Sequence, residues 1–248
     1  MRDRKLPQSL KTKIFKIGGN MNGLLEKRRK RRMDKTKNSK ILNSRTYNTL
    51  LGIVILYGLV LNYILCAYGL EFAMSINPVL LKMGYLILGF VGIIISIISE
   101  RPSVSFIGYN LLVIPSGLVL TLALQEFGGI DSTIVKQAFL YTTIISGIMV
   151  LLGNLYPKFF EKMGGMLFAA LIGLIITRII AFICNFDNVA ISWIAAIIYS
   201  LYIGYDIYKS QKLSKTIDNA IECAIDLYLD IFGVFINLLD ILDKENKR

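Results

Sequence analysis

Two aspartates in the last fifth of the chain are the residues best suited to proton exchange or cation binding. Asp206 ends the stretch LYIGYD at 201–206, and Asp230 ends LYLD at 227–230. Their separation of 24 residues suits two acids that face each other across an antiparallel helical hairpin. Two carboxyl groups at close range in a dry site cannot both ionise at low cost, so they share a proton. Such a pair could respond to pH or bind a hard cation such as Ca²⁺. The alternative is an ordinary Asp206 at a helix end and a separately buried, protonated Asp230.

A polar stripe runs along the helix predicted over 217–243, which contains Asp230. Its members recur at steps of three or four: Asn219, Glu222, Asp226, Asp230, Gly233, Asn237 and Asp240. Three interpretations compete. A helix lying flat on a membrane usually carries basic residues on its polar face, and an amphipathic helix outside the membrane needs a partner. We favour the third, a membrane span whose acids face a protein interior or an ion path, with Asp226, Glu222 and Asn237 as candidate path residues.

Arg178 is the one basic residue in the middle of an apolar run. An unpaired charge there is costly, so it should pair with an acid or reach water. Asp226, Asp230 and Asp187 are the candidate partners, and a structural ion pair is as consistent with the sequence as a gating role.

The apolar runs that must position these residues follow one another from Tyr47 onward. Hydrophobic residues make up 54% of the 248. Each run is close to the roughly 20 residues that cross a bilayer as a helix. The predicted segments are 47–69, 78–99, 104–124, 133–155, 164–184 and 189–208, with 217–243 as the seventh. The sequence therefore predicts an all-α polytopic membrane domain over 47–243, between a tail at 1–46 and a short tail at 244–248.

Basic residues are unevenly distributed. The tail at 1–46 holds 16 of the 28 Lys and Arg, and lysines and arginines recur in alternate connections between the spans. This pattern predicts a cytoplasmic N-terminus. The run KRRKRR at 27–32 could bind anionic lipid or nucleic acid. Because it lies near the first span, we favour a topology anchor beside anionic lipid, without a nucleic-acid partner.

The chain lacks the residues that several classes of chemistry require. The chain has no histidine and only three cysteines, Cys66, Cys184 and Cys223, which are far apart in apolar runs. This excludes His-ligated metal sites and the HExxH motif, and no phosphate-binding glycine loop or GxSxG motif is present. We therefore expect neither an enzyme nor a bound cofactor.

Residues 199–242 resemble the Bax inhibitor-1 (transmembrane Bax inhibitor motif) family. The resemblance lies in SLYIGYD at 200–206, AIDLYLDI at 224–231 and NLL at 237–239, with weaker similarity over 47–242. It implies seven transmembrane helices with the acidic C-terminal helix at the centre of the bundle. It also implies that Asp206 and Asp230 are a pH-sensing pair in a calcium-leak pathway. Some relatives place a basic residue near the end of the second helix against this pair. Arg101 is the nearest equivalent here, but it is offset and followed by Pro102.

The expected function is a pH-sensitive calcium leak in a bacterial plasma membrane. Ca²⁺ would be the permeant ion, held transiently by Asp206 and Asp230, and H⁺ the regulator. One alternative is a membrane scaffold that binds a membrane protease or a cell-death protein. Another is a proton-coupled carrier for a small molecule. The acidic stripe favours ion passage over the scaffold, and nothing in the sequence separates a channel from a carrier.

Overall fold

The computed structural model describes residues 40–184 and 189–247, which form nine α-helices and no strand. Seven are long: α1 Ser44–Tyr68, α3 Pro78–Ile98, α4 Pro102–Gln125, α5 Thr133–Leu155, α7 Gly164–Ile183, α8 Val189–Lys212 and α9 Ile217–Asn246. Two are short: α2 Leu70–Ser75 and α6 Pro157–Glu161. The basic run at 27–32 and Asp187 lie outside the described residues, so the predictions made for them remain predictions.

Polar caps and prolines set where several long helices begin. The side chains of Asn43, Ser132 and Thr216 each accept a hydrogen bond from a backbone N–H in the first turn of α1, α5 and α9. Pro78 and Pro102 stand at the first positions of α3 and α4, where a missing N–H costs nothing.

Six helices within the described ranges are long and apolar enough to cross a bilayer: α1, α3, α4, α5, α7 and α8. They match the six predicted apolar segments to within a few residues at each end. The ninth helix has the length of a span, with 30 residues. Its composition does not identify it as one, because it carries many charged residues: Asp218, Glu222, Asp226, Asp230, Asp240, Asp243, Lys244 and Glu245.

The packing nevertheless surrounds α9 with apolar helices. It contacts α1, α4, α5 and α8, and touches α3. Its buried residues lie on every side near its start, where Asp218 to Ile225 are all buried. By contrast, α7 buries only Leu167 and Leu174 of its own residues. Large apolar side chains cover the outer faces of the bundle, as expected for helices that face lipid.

Glycine pairs let neighbouring helices approach to backbone contact. A Cβ on Gly92 of α3 would lie 2.3 Å from the carbonyl oxygen of Gly108 on α4, and a Cβ on Gly108 would lie 2.4 Å from that of Gly92. At the crossing of α5 and α8, a Cβ on Gly153 would lie 2.5 Å from the Gly204 oxygen. Small residues at such crossings are the usual means of close helix packing in membranes.

Candidate functional site

The hairpin of α8 and α9 positions the acids found in the sequence. Thr216 caps α9 immediately after a short loop, so the two helices run antiparallel side by side. Contacts along the hairpin join Lys209 to Asp226 near the loop and Ser192 to Asp240 at the far end. This register places Asp206 opposite Asp230.

Asp206 and Asp230 contact each other inside the bundle. Each residue is only 7% exposed, and their carboxyl groups lie within hydrogen-bonding range. Two carboxyl groups can form a hydrogen bond only when one of them carries a proton. The Oδ2 atom of Asp230 is buried and finds no hydrogen-bond donor among the described residues.

Lys209 joins this pair to a third acid. Its Nζ lies 3.0 Å from Asp206 Oδ1 and 3.0 Å from Asp226 Oδ2. We call Asp206, Asp226, Asp230 and Lys209 the carboxylate cluster. Because the predicted segment ends at 208, Lys209 was expected in the loop, without a role in the site. The spacing in the sequence could have indicated this contact, because a residue three positions after Asp206 lies on the same face of the helix.

More acids lie on α9 between the cluster and the start of the helix. Glu222 is 4% exposed. Asp218 is buried too, and Ser105 of α4 donates a hydrogen bond to its Oδ1 at 2.5 Å. Asp218 was not among the predicted site residues, because it lies one residue outside the predicted stripe. The acidic stripe is therefore mostly buried from the hairpin loop to the middle of the bundle, and Asp226 is its half-buried member, with a side chain that is 28% exposed.

The side of α9 that faces α1 and α4 carries a neutral polar contact. The Tyr228 hydroxyl meets Ser116 Oγ at 2.6 Å and accepts a hydrogen bond from Asn62 Nδ2. All three residues are buried. These bonds fix α9 against two of its neighbours at the depth of Asp230.

A second polar group lies toward the other end of α9. Arg178 Nη2 of α7 donates to Asn237 Oδ1 at 2.5 Å and to Ser192 Oγ at 3.3 Å. Ser192 Oγ donates to Asp240 Oδ2 at 2.5 Å, and Lys244 pairs with Asp240 at 3.0 Å. We call these five residues the arginine network.

This geometry corrects two of the partners predicted for Arg178. It bonds to Asn237 and Ser192, not to Asp226 or Asp230. The register explains the difference, since Asn237 lies almost two turns beyond Asp230 along α9. Asn237 therefore lies in the arginine network and is separated from the carboxylate cluster.

Arg101 does not contact the aspartate pair. It is exposed at the N-cap of α4, and its backbone N–H donates to Ser99 Oγ at 3.0 Å. In the part of the chain that the structure describes, its side chain forms no ion pair. The basic residue against the pair is Lys209 instead.

The acids do not form a preformed chelating shell. Across residues 40–184 and 189–247, no group of three or more Asp, Glu or Cys side chains is arranged to hold a metal ion. Asp206 and Asp226 instead surround the Lys209 ammonium. Any divalent cation at this point would meet few ligands, which suits transient contact better than tight binding.

The fold and site together define a helical integral membrane protein with an acidic helix enclosed by apolar ones. Sequence comparison identifies the family. The profile of the family described as "Inhibitor of apoptosis-promoting Bax1" matches residues 39–247. The chain belongs to this Bax inhibitor family, as its resemblance over 199–242 predicted.

Similar proteins come from bacteria, a plant and a virus. An uncharacterised protein of Campylobacter jejuni is 39% identical over 143 residues, which are 54% of this chain and 58% of that protein. The Golgi anti-apoptotic protein of vaccinia virus is 31% identical over 48% of this chain and 50% of its own. The inner membrane protein YbhL of Escherichia coli is 28% identical over 43% and 50%. The matches span about half the length of these relatives.

Proposed function

We propose that this protein is a pH-sensitive calcium leak gated by the Asp206–Asp230 pair. The observation that carries the proposal is the contact between these carboxyl groups inside the bundle, on adjacent helices. Buried carboxylates in membrane proteins are costly and mark ion or proton pathways. Here Asp230 lies on an acidic stripe that is mostly buried inside the protein.

The proposal requires α9 to be a seventh span at the centre of the bundle. Its length and its contacts with α1, α4, α5 and α8 support that placement. An N-terminus on the cytoplasmic side then puts the hairpin loop between α8 and α9 on the same side, and the membrane would be the plasma membrane of a bacterium. Lys244 and Lys247 would lie outside, where Asp240 and Asp243 pair with them and offset their charge.

The proton shared by Asp206 and Asp230 holds α8 and α9 together. Loss of this proton replaces a hydrogen bond by repulsion between two carboxylates. A second proton removes the negative charge that attracts a cation. Both changes alter the opening between the helices or its affinity for Ca²⁺, so the flux should depend on pH. Glu222 and Asp226 would guide cations between the pair and the cytoplasm, and Asn237 would line the path beyond it.

Calcium flux into liposomes tests the proposal directly. Purified protein is reconstituted, and flux is followed from pH 5 to 8 for the wild type, Asp206→Asn and Asp230→Asn. We expect wild-type flux with a pH profile that either substitution flattens. Asp131→Asn is the matched control, since that carboxylate is 94% exposed in a loop. Folded wild-type protein without Ca²⁺ flux at any pH would rule out the leak.

A second function is a membrane-embedded regulator that binds a partner protein. The family description and the name of the vaccinia relative, an anti-apoptotic protein, favour this candidate. In that case the buried acids are structural, and the partner contacts the spans or the tail. Crosslinking in native membranes distinguishes the two. A regulator should capture a defined membrane protein equally well in the wild type and in Asp206→Asn, while the liposome flux is absent.

A further inference from the structure

We propose that Lys209 is a tethered counter-cation that occupies the cation site of the carboxylate cluster and competes with the permeating ion. This inference rests on the proposed function and adds a residue that sets the site's affinity. It starts from the position of one ammonium group, which lies 3.0 Å from a carboxylate oxygen on each of two helices.

The ammonium is surrounded by carboxylate oxygens, which also attract free cations. Asp206 of α8 and Asp226 of α9 supply one oxygen each. Asp230 adds a buried carboxyl beside Asp206, and its Oδ2 has no donor within the described ranges. Carboxylate oxygens are the ligands that Ca²⁺ prefers. A divalent cation could approach the same oxygens only after the Lys209 ammonium had left.

The Lys209 side chain has room to leave. It is 34% exposed, whereas the side chain of Asp206 is only 9% exposed. A lysine carries a point charge on a flexible stem of four carbons, so the ammonium can swing away from the carboxylates toward water. Because the lysine is covalently attached, its local concentration stays high at all calcium concentrations. Lys209 therefore lowers the apparent affinity of the cluster for Ca²⁺ and keeps it occupied when no cation passes.

Equilibrium binding of Ca²⁺ to protein in nanodiscs tests this without relying on transport. The variants are Lys209→Gln, Lys209→Arg and, as the matched control, Lys212→Gln. Lys212 lies on the same helix over the Tyr208 ring, so its substitution removes one charge away from the cluster. We expect Lys209→Gln to bind Ca²⁺ about tenfold more tightly than the wild type, because a positive charge next to the ion is removed. Lys209→Arg and Lys212→Gln should remain near the wild-type affinity.

A double substitution separates a site effect from a general charge effect. Adding Asp226→Asn to Lys209→Gln should cancel most of the gain, since it removes the negative charge of one of the two carboxylates that held the ammonium. If Lys209→Gln does not fold, Lys209→Met keeps the apolar stem and takes its place, with folding checked by thermal melting. Equal affinities for Lys209→Gln and Lys212→Gln would overturn the inference.

The two proposals fail in different ways. Tight binding to Lys209→Gln in a protein that never conducts Ca²⁺ would contradict the leak but support the counter-cation. A wild-type leak that Asp206→Asn flattens, combined with unchanged affinity in Lys209→Gln, would support the leak and contradict the counter-cation.

Discussion

The ring of Tyr199 on α8 lies directly against Gly233 of α9. A Cβ on Gly233 would lie 2.7 Å from Tyr199 Cγ and 2.8 Å from Cδ1 and Cδ2. The Tyr199 side chain is also close enough to Asp230 and Arg178 for both charges to act on it. The ring therefore separates the carboxylate cluster from the arginine network, at a point where α9 offers no side chain of its own.

We expect Tyr199→Ala to raise Ca²⁺ flux severalfold at every pH, because it opens the space beside Gly233. The aspartate pair is unchanged, so the shape of the pH profile should persist. Liposome flux measures both quantities. Tyr63→Ala removes a tyrosine that is 63% exposed on the outer face of α1, and it should leave the flux unchanged. A flux in Tyr199→Ala no higher than in Tyr63→Ala would show that the ring does not restrict the path.

Asp230→Asn should make the thermal stability of the protein less dependent on pH. The wild type should lose stability as the pH rises and the shared proton dissociates, because the two carboxylates then repel each other. An asparagine amide donates to the Asp206 carboxylate without that proton. A charged hydrogen bond is worth about 2 kcal/mol, so the wild-type melting temperature should fall by a few degrees between pH 5 and 8. Asp131→Asn should retain this fall, and an equal fall in Asp230→Asn would contradict the shared proton.

Arg178→Leu should weaken the packing of α7 against α8 and α9. The arginine supplies this helix with hydrogen bonds to Asn237 of α9 and Ser192 of α8, and α7 buries few side chains of its own. Hydrogen bonds between membrane helices are worth about 1 kcal/mol. We expect a melting temperature lower by a few degrees and faster hydrogen exchange confined to α7. Thr177→Val is the control, since that hydroxyl bonds to Gly173 O within α7. Unchanged exchange in α7 would show that the arginine network does not hold it.

Cysteine labelling should place the two ends of α9 on opposite sides of the membrane. Cys66, Cys184 and Cys223 are first replaced by serine, and a single cysteine is introduced at Lys212 or Asn246. An impermeant maleimide should label Asn246→Cys in intact cells and Lys212→Cys only after permeabilisation. Restoring the exposed Cys184 provides a reference at the end of α7 that the proposed topology places outside. Labelling of both introduced cysteines under the same condition would show that α9 does not cross.

The spacing of Asp206 and Asp230 indicated that they face each other, because a short loop fixes the register of a helical hairpin, but it left two separate acids as an alternative. The apolar runs predicted the six spans for a similar reason, since bilayer thickness sets their length. Lys209 was missed because the apolar run ends at 208, while α8 continues to Lys212. Hydropathy marks where lipid ends, and a helix can extend beyond that point into water.

The partner of Arg178 depends on tertiary register, which composition does not encode. Three acids satisfied the charge requirement in the sequence. In the folded chain, α7 packs chiefly on α8, and this packing brings Arg178 level with Asn237 and Ser192. The Asn237 amide and the Ser192 hydroxyl accept hydrogen bonds from the guanidinium. Asp240 is connected to the guanidinium only through Ser192. Charge pairing considered along the sequence alone would not have selected Asn237 and Ser192 as the partners of Arg178.

The enclosure of α9 has a consequence for biogenesis. Alone in lipid, a helix with an acidic stripe would expose its carboxylates to hydrocarbon, which is unfavourable. Its partners α1, α4, α5 and α8 all precede it in the chain, so they emerge from the ribosome first. Their inward faces give the incoming helix hydrogen-bond donors such as Ser105, Asn62 and Lys209. With α9 as the seventh span proposed above, its insertion would be templated by the helices synthesised before it, and a defect in any one of them should first appear as a failure to retain α9.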